Sequence, residues 1–194
     1  MTEDTTAFTG RRPSHDRRWR TREIVVAAVI AVAFGVFFWA FGSLWAALNV
    51  LGPLQNVLYA VWLLPAVVAP LVVRRPGAAG LAELVAATLS ALLGSQWGIT
   101  TLTSGLVQGI GAELGFAAFR YRRFDVRPVV LASVLSMAGA FFHDWFVWYP
   151  ALALDAIAAI GAAMAVSGIA VLPALAIALV RALRSAGVAQ GSVR

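Results

Sequence analysis

The chain has 194 residues, of which 61% are hydrophobic and only 12% charged, with a formal net charge of +6. That balance is far from a water-soluble domain, and the apolar residues run in stretches of about 20, the length that crosses a bilayer as a helix. Lysine and cysteine are absent and there are two histidines, His15 and His143, which excludes a P-loop ATPase, Schiff-base chemistry, disulfides, thiolate metal sites and a three-histidine centre.

In hydrocarbon every backbone N–H and C=O needs an internal partner, so a spanning chain is helical or a closed barrel. A barrel alternates apolar and polar residues over segments of about ten. The runs here are apolar on every face, which predicts an all-α polytopic membrane protein of the cell membrane.

Residues 1–22 form a tail carrying Arg11, Arg12, Arg17, Arg18, Arg20 and Arg22. It is expected to be disordered or laid on an anionic inner leaflet. The apolar run Ile24 to Phe41 exceeds the 7–15 residues of a signal-peptide core, so it is read as an uncleaved first helix. That helix is predicted from about Glu23 to Ala47, and the second from about Pro53 to Val73, stopped by Arg74-Arg75-Pro76-Gly77. Helix three covers about Ala78 to Gln96 and helix four about Thr100 to Phe119. After the basic loop Arg120 to Pro128, helix five runs from about Val129 to Trp148. A last helix runs from about Leu152 to Leu183, interrupted near Gly168 and Pro173. Residues 23–184 are thus a six-helix membrane domain, and 185–194 a short C-terminal tail.

All fifteen arginines fall in the N-tail, the second and fourth connections, and the C-terminal stretch; the other three connections hold none. This alternation predicts six spans with both termini cytoplasmic. It also explains the basic charge without nucleic acid. Trp39, Trp45, Trp97, Trp145, Trp148 and Tyr149 gather at the arginine-free ends.

An ionisable side chain within a span is costly and usually faces a partner, a cavity or a ligand. Glu83, Glu113, Asp144 and Asp155 qualify, with Glu83 and Glu113 expected in the cytoplasmic half. Each could instead hydrogen-bond a neighbouring helix. Near the arginine-free ends stand Asn56, Tyr59 and Trp62, then Gln96 and Trp97, then His143, Asp144 and Trp148, with Gln108 near mid-depth. Amides, carboxylates and aromatic faces suit a flat, partly cationic heteroaromatic ligand. An interfacial aromatic belt is the competing explanation for any one tryptophan. Ala27, Ala31 and Gly35 repeat every four residues, and Gly105, Gly109, Gly111 and Gly115 mark helix four. Such residues let helix backbones approach closely.

The stretch RRPGAAGLAELVAATLSALLGSQWG followed by SGLVQGIGAELGFAAFRYRRF resembles the core signature of YkoE-like S components. These are the membrane subunits of energy-coupling factor (ECF) transporters associated with thiamin or its hydroxymethylpyrimidine precursor. The signature covers Arg74 to Phe124, and AFFHDWFVWYP, Ala140 to Pro150, resembles a second, looser segment. The resemblance implies a vitamin-binding subunit without catalysis or cofactor, working with a transmembrane coupling (T) protein and cytoplasmic ATPases. It places Glu83, Gln108 and Glu113 on matching family positions, and assigns Ala27 and Ala31, with Gly35, to contact with the coupling protein. The segment Gln55 to Trp62 departs most from the family pattern, which leaves the ligand open. Two other functions compete. An ion-coupled secondary transporter would use Glu83, Glu113 or Asp144 as proton carriers. An intramembrane serine protease would pair Ser104 with His143.

Overall fold

A computed structural model describes residues 19–187; the expected disorder of the N-tail and the tail beyond Gly187 lie outside the described residues. Among those residues all regular structure is helical, with no strand. They form α1 (Thr21–Ala47), a 3-10 segment (Leu48–Leu63), α2 (Leu64–Val73), α3 (Ala78–Leu92), α4 (Thr100–Ala118), α5 (Val126–Trp148), α6 (Leu154–Val166), a π turn (Ser167–Val171) and α7 (Leu172–Ser185). The stretches 21–73, 126–148 and 154–185 are long and apolar enough to cross a membrane, while α3 is apolar but shorter.

The turns follow from local chemistry. The first stretch reverses at Gly52, whose φ of 54° suits a residue without Cβ, and Pro53 follows. From there the chain is wound as a 3-10 helix to Leu63, where the expected single second helix changes to α winding. All ten residues of α2 are buried, so this short helix is the centre of the bundle. Helix α3 ends at Leu92, earlier than the sequence suggested, because Gly94 and Gly98 take left-handed conformations and fold the connection back. Helix α5 starts earlier than expected, at Val126. Asp125 caps it by accepting from the Arg127 N–H at 3.2 Å, and Pro128 is tolerated in a first turn that needs no donor there. The predicted interruption near Gly168 is the π turn between α6 and α7.

Close packing is set by glycine. A Cβ on Gly105 would lie 2.5 Å from Ala87 Cβ on α3, and one on Gly111 would lie 2.6 Å from the Leu135 carbonyl on α5. Gly109 meets Gly80, and Gly115 meets Ala132, in the same way. Helix α4 is therefore clamped between α3 and α5 through two glycine faces.

The stripe Ala27, Ala31 and Gly35, expected to meet a partner, points inward instead. Ala27 and Ala31 are wholly buried, the first with Val73 and Ala78, the second with Ala69 and Ala82. A Cβ on Gly35 would sit 2.8 Å from Leu89 Cβ. The small residues draw α1 against α2 and α3, and in this structure the stripe offers no surface to a partner.

The arginine-bearing connections meet at one end of the bundle. Arg75 pairs with Glu23 at 2.9 Å, the Trp19 indole N–H donates to the Pro76 carbonyl at 3.2 Å, and Arg74 lies over the Phe124 ring at 5.8 Å.

Candidate ligand cavity

The arginine-free connections surround a cavity of about 420 Å³, within the range that holds drug-sized ligands. Its aromatic wall is organised around Trp62. That ring meets Phe38 and Trp97 edge-on at 5.1 Å, Phe41 at 5.3 Å and Trp45 at 5.9 Å. Trp45 stands edge-on to Tyr59 at 5.9 Å. Trp148 and Tyr149 also line the cavity, with Trp148 44% exposed.

Two acidic residues, Glu83 and Asp144, line the cavity. Glu83 is fully buried on α3. Its Oε2 accepts from the Ala66 N–H at 3.0 Å, one of the orphan donors in the first turn of α2. Its Oε1 has no hydrogen-bond partner. A buried, unpaired carboxylate oxygen is costly, and a ligand donor would remove that cost. Asp144, at the end of α5, has both oxygens engaged: Oδ2 accepts from the Tyr59 hydroxyl at 2.7 Å, and Oδ1 from His143 Nδ1 at 2.9 Å.

Of the residues expected at a ligand site, the structure brings Tyr59, Trp62, Glu83, Gln96, Trp97, Gln108, Asp144 and Trp148 to this cavity. Glu83 thereby stands with the arginine-free groups rather than apart from them. Gln96 also ties its connection to α1 by donating to the Gly42 carbonyl at 2.9 Å, and Gln108 donates to Ser104 at 2.6 Å. Three expected residues do not line the cavity. Asn56 is folded onto the Pro53 carbonyl at 3.1 Å. His143 stands behind Asp144 and also meets Thr103 at 2.9 Å. Glu113 sits at the start of α3, where it accepts from the N–H groups of Gly77, Ala79 and Gly80 and from the Tyr121 hydroxyl at 2.7 Å. Burial, reinforced by Glu113, pushes the Tyr121 hydroxyl upward and keeps it a donor.

Phe38, Asn49, Thr100, Thr101 and Ser104 line the cavity in addition. Phe38 continues the stripe of Ala27, Ala31 and Gly35 by one further turn, so it became a cavity residue only once that stripe proved to face inward. The threonines carried no comparable pattern. Ser104 accepts from Gln108 while His143 is engaged elsewhere, so no nucleophile–base pair is assembled. Among the described residues, no three of His, Cys, Asp and Glu converge as a metal ion would need.

A family model described as the permease component of ABC-type cobalt transport systems matches residues 22–139. The chain is 35% identical over 135 residues to a Bacillus subtilis (strain 168) protein named as an HMP/thiamine permease, YkoE, covering 68% of this chain and 67% of that one. The crystal structure of an S-component of an ECF transporter superposes with a TM-score of 0.84 at 31% identity, covering 90% of both chains.

Proposed function

Since this chain belongs to the YkoE-like S components of ECF transporters, we propose that its cavity binds the aminopyrimidine of thiamin or of its hydroxymethylpyrimidine precursor for import. The chain is an integral protein of the cell membrane and a transport subunit, not an enzyme. S components serve small vitamin solutes together with a coupling protein and ATPases; that thiamin-type compounds are the cargo here is our inference.

The unpaired, fully buried Glu83 Oε1, on a residue that lines the aromatic cavity, carries the reading. An aminopyrimidine presents an exocyclic N–H donor to a carboxylate and a flat face to indoles. A quaternary thiazolium adds a cation that Trp and Tyr faces and Asp144 favour. Six crossings with both termini cytoplasmic fit this role, because the cavity then opens outward, away from the arginine-bearing connections.

The test is uptake of labelled thiamin by cells producing this chain with and without a coupling protein and its ATPases. Uptake that requires the ATPases supports the proposal. Uptake by proteoliposomes holding this chain alone would favour an ion-coupled carrier instead.

A further inference from the structure

His143 lies outside the cavity yet controls a charge that faces it, and its surroundings suit two protonation states. Asp144 accepts at Oδ1, so His143 Nδ1 carries a hydrogen in either state. The other nitrogen, Nε2, lies 2.9 Å from Thr103 Oγ1, and that hydroxyl also lies 2.9 Å from the Thr100 carbonyl. Thr103 has one hydroxyl hydrogen. With neutral imidazole it is donated to Nε2. With imidazolium, Nε2–H donates to Thr103 Oγ1 and the hydroxyl hydrogen turns to the Thr100 carbonyl. Both states are satisfied without moving a heavy atom. A purely structural histidine needs a partner for one state only.

The geometry points to His143 as a positioning residue that sets the cavity's preference between cationic and neutral ligands according to pH. Imidazolium and the Asp144 carboxylate together are neutral; once His143 gives up its proton, the pair carries one negative charge beside the cavity. Thr103 is the exposed end of this chain of contacts. Other titratable groups facing this pair are Tyr59 from the 3-10 segment and Tyr149 after α5. Glu83 also lines the cavity, with Oε2 bound to the Ala66 N–H and Oε1 unpartnered. The inference rests on the thiamin-type ligand proposed above.

The test compares thiamin with 3-deazathiamin, an uncharged isostere of the thiazolium that keeps the same aminopyrimidine. Titration of the shared ring cancels in the ratio of their dissociation constants. Across about pH 5.5 to 8, the wild-type preference for thiamin should rise on the order of tenfold, as expected for one added charge nearby. His143→Asn keeps a donor near the Nδ1 position and cannot titrate; it should bind both ligands with a ratio independent of pH. A flat wild-type ratio, or a slope that persists in His143→Asn, would overturn the inference. Should neither ligand quench tryptophan fluorescence at any pH, the thiamin-type reading itself fails and this inference fails with it.

Discussion

Tyr59 and Asp144 are separated by 85 positions in sequence, and the phenol of one donates to the carboxylate of the other at 2.7 Å. This bond joins the 3-10 segment to the end of α5 in the cavity wall. Tyr59 is presented there because the chain from Pro53 to Leu63 is wound more tightly than an α-helix, which turns each successive side chain by about 120° rather than 100°. Tyr59→Phe removes the only hydroxyl in that pair. Hydrogen bonds to charged groups contribute about 1.5–3 kcal/mol, so thiamin affinity is predicted to fall roughly tenfold or more through loss of Asp144 orientation. Isothermal titration of the purified variant checks this; an unchanged affinity would remove Asp144 orientation from the binding account.

The inward stripe on α1 makes an opposite kind of prediction. Ala27→Leu or Gly35→Leu inserts methylenes where Val73, Ala78 and Leu89 already touch, at a cost of about 1–3 kcal/mol. Thermal unfolding in detergent should shift downward for both. Val29→Leu, on a residue 63% exposed, should leave the transition where it was. If Ala27→Leu kept wild-type stability and lost only uptake, the stripe would be a docking face after all.

Glu113 is predicted to separate from the ligand cavity. Glu113→Ala strands three N–H groups at the start of α3 and the Tyr121 hydroxyl, at about 1–3 kcal/mol of stability by the cost of unpaired donors. Its thiamin dissociation constant should stay within about twofold of wild type, since none of the groups that Glu113 holds lines the cavity. A large loss of affinity at intact stability would place Glu113 in contact with ligand.

Much of this architecture was legible in the sequence. The alternation of arginine marked every connection, and the break near Gly168 was announced by Gly168 and Pro173. The glycines of α4 had no reason to stand in a helix other than close packing, and that is where α3 and α5 approach. What could not be read was direction. Ala27, Ala31 and Gly35 form a small-residue stripe whether they face inward or outward, and only the packing of α2 and α3 decides. Winding was equally hidden: nothing in Pro53 to Leu63 distinguishes a 3-10 from an α-helix. Nor does the sequence show that the Asn56 amide donates to the Pro53 carbonyl instead of lining the cavity. Glu83 and Glu113 are both carboxylates in apolar helices, and their roles separate only through their partners: one has a free oxygen, the other caps a helix.

The α5 cap gives a pH-dependent prediction. The hydrogen bond from Arg123, then that from the Arg127 N–H, holds the Asp125 carboxyl below its ordinary value of 3.8. A depressed folded-state value means the cap's contribution is present above about pH 4 and is lost as pH falls through the folded value. The stability difference between wild type and Asp125→Asn should therefore be visible at pH 6 and shrink toward pH 3, measured by thermal unfolding. A difference that grows on acidification would contradict the assignment.

Binding of thiamin by wild type and by Glu83→Gln, followed by tryptophan quenching in detergent, tests the central claim most directly. The rings around Trp62 should report the ligand with sub-micromolar affinity, about 1 μM or tighter. Exchanging the unpaired Oε1 for an amide should weaken binding at least tenfold, as expected when a buried acceptor is lost. Equal affinity in the two proteins would mean that the buried carboxylate does not hold the ligand, and the account of the cavity would fall.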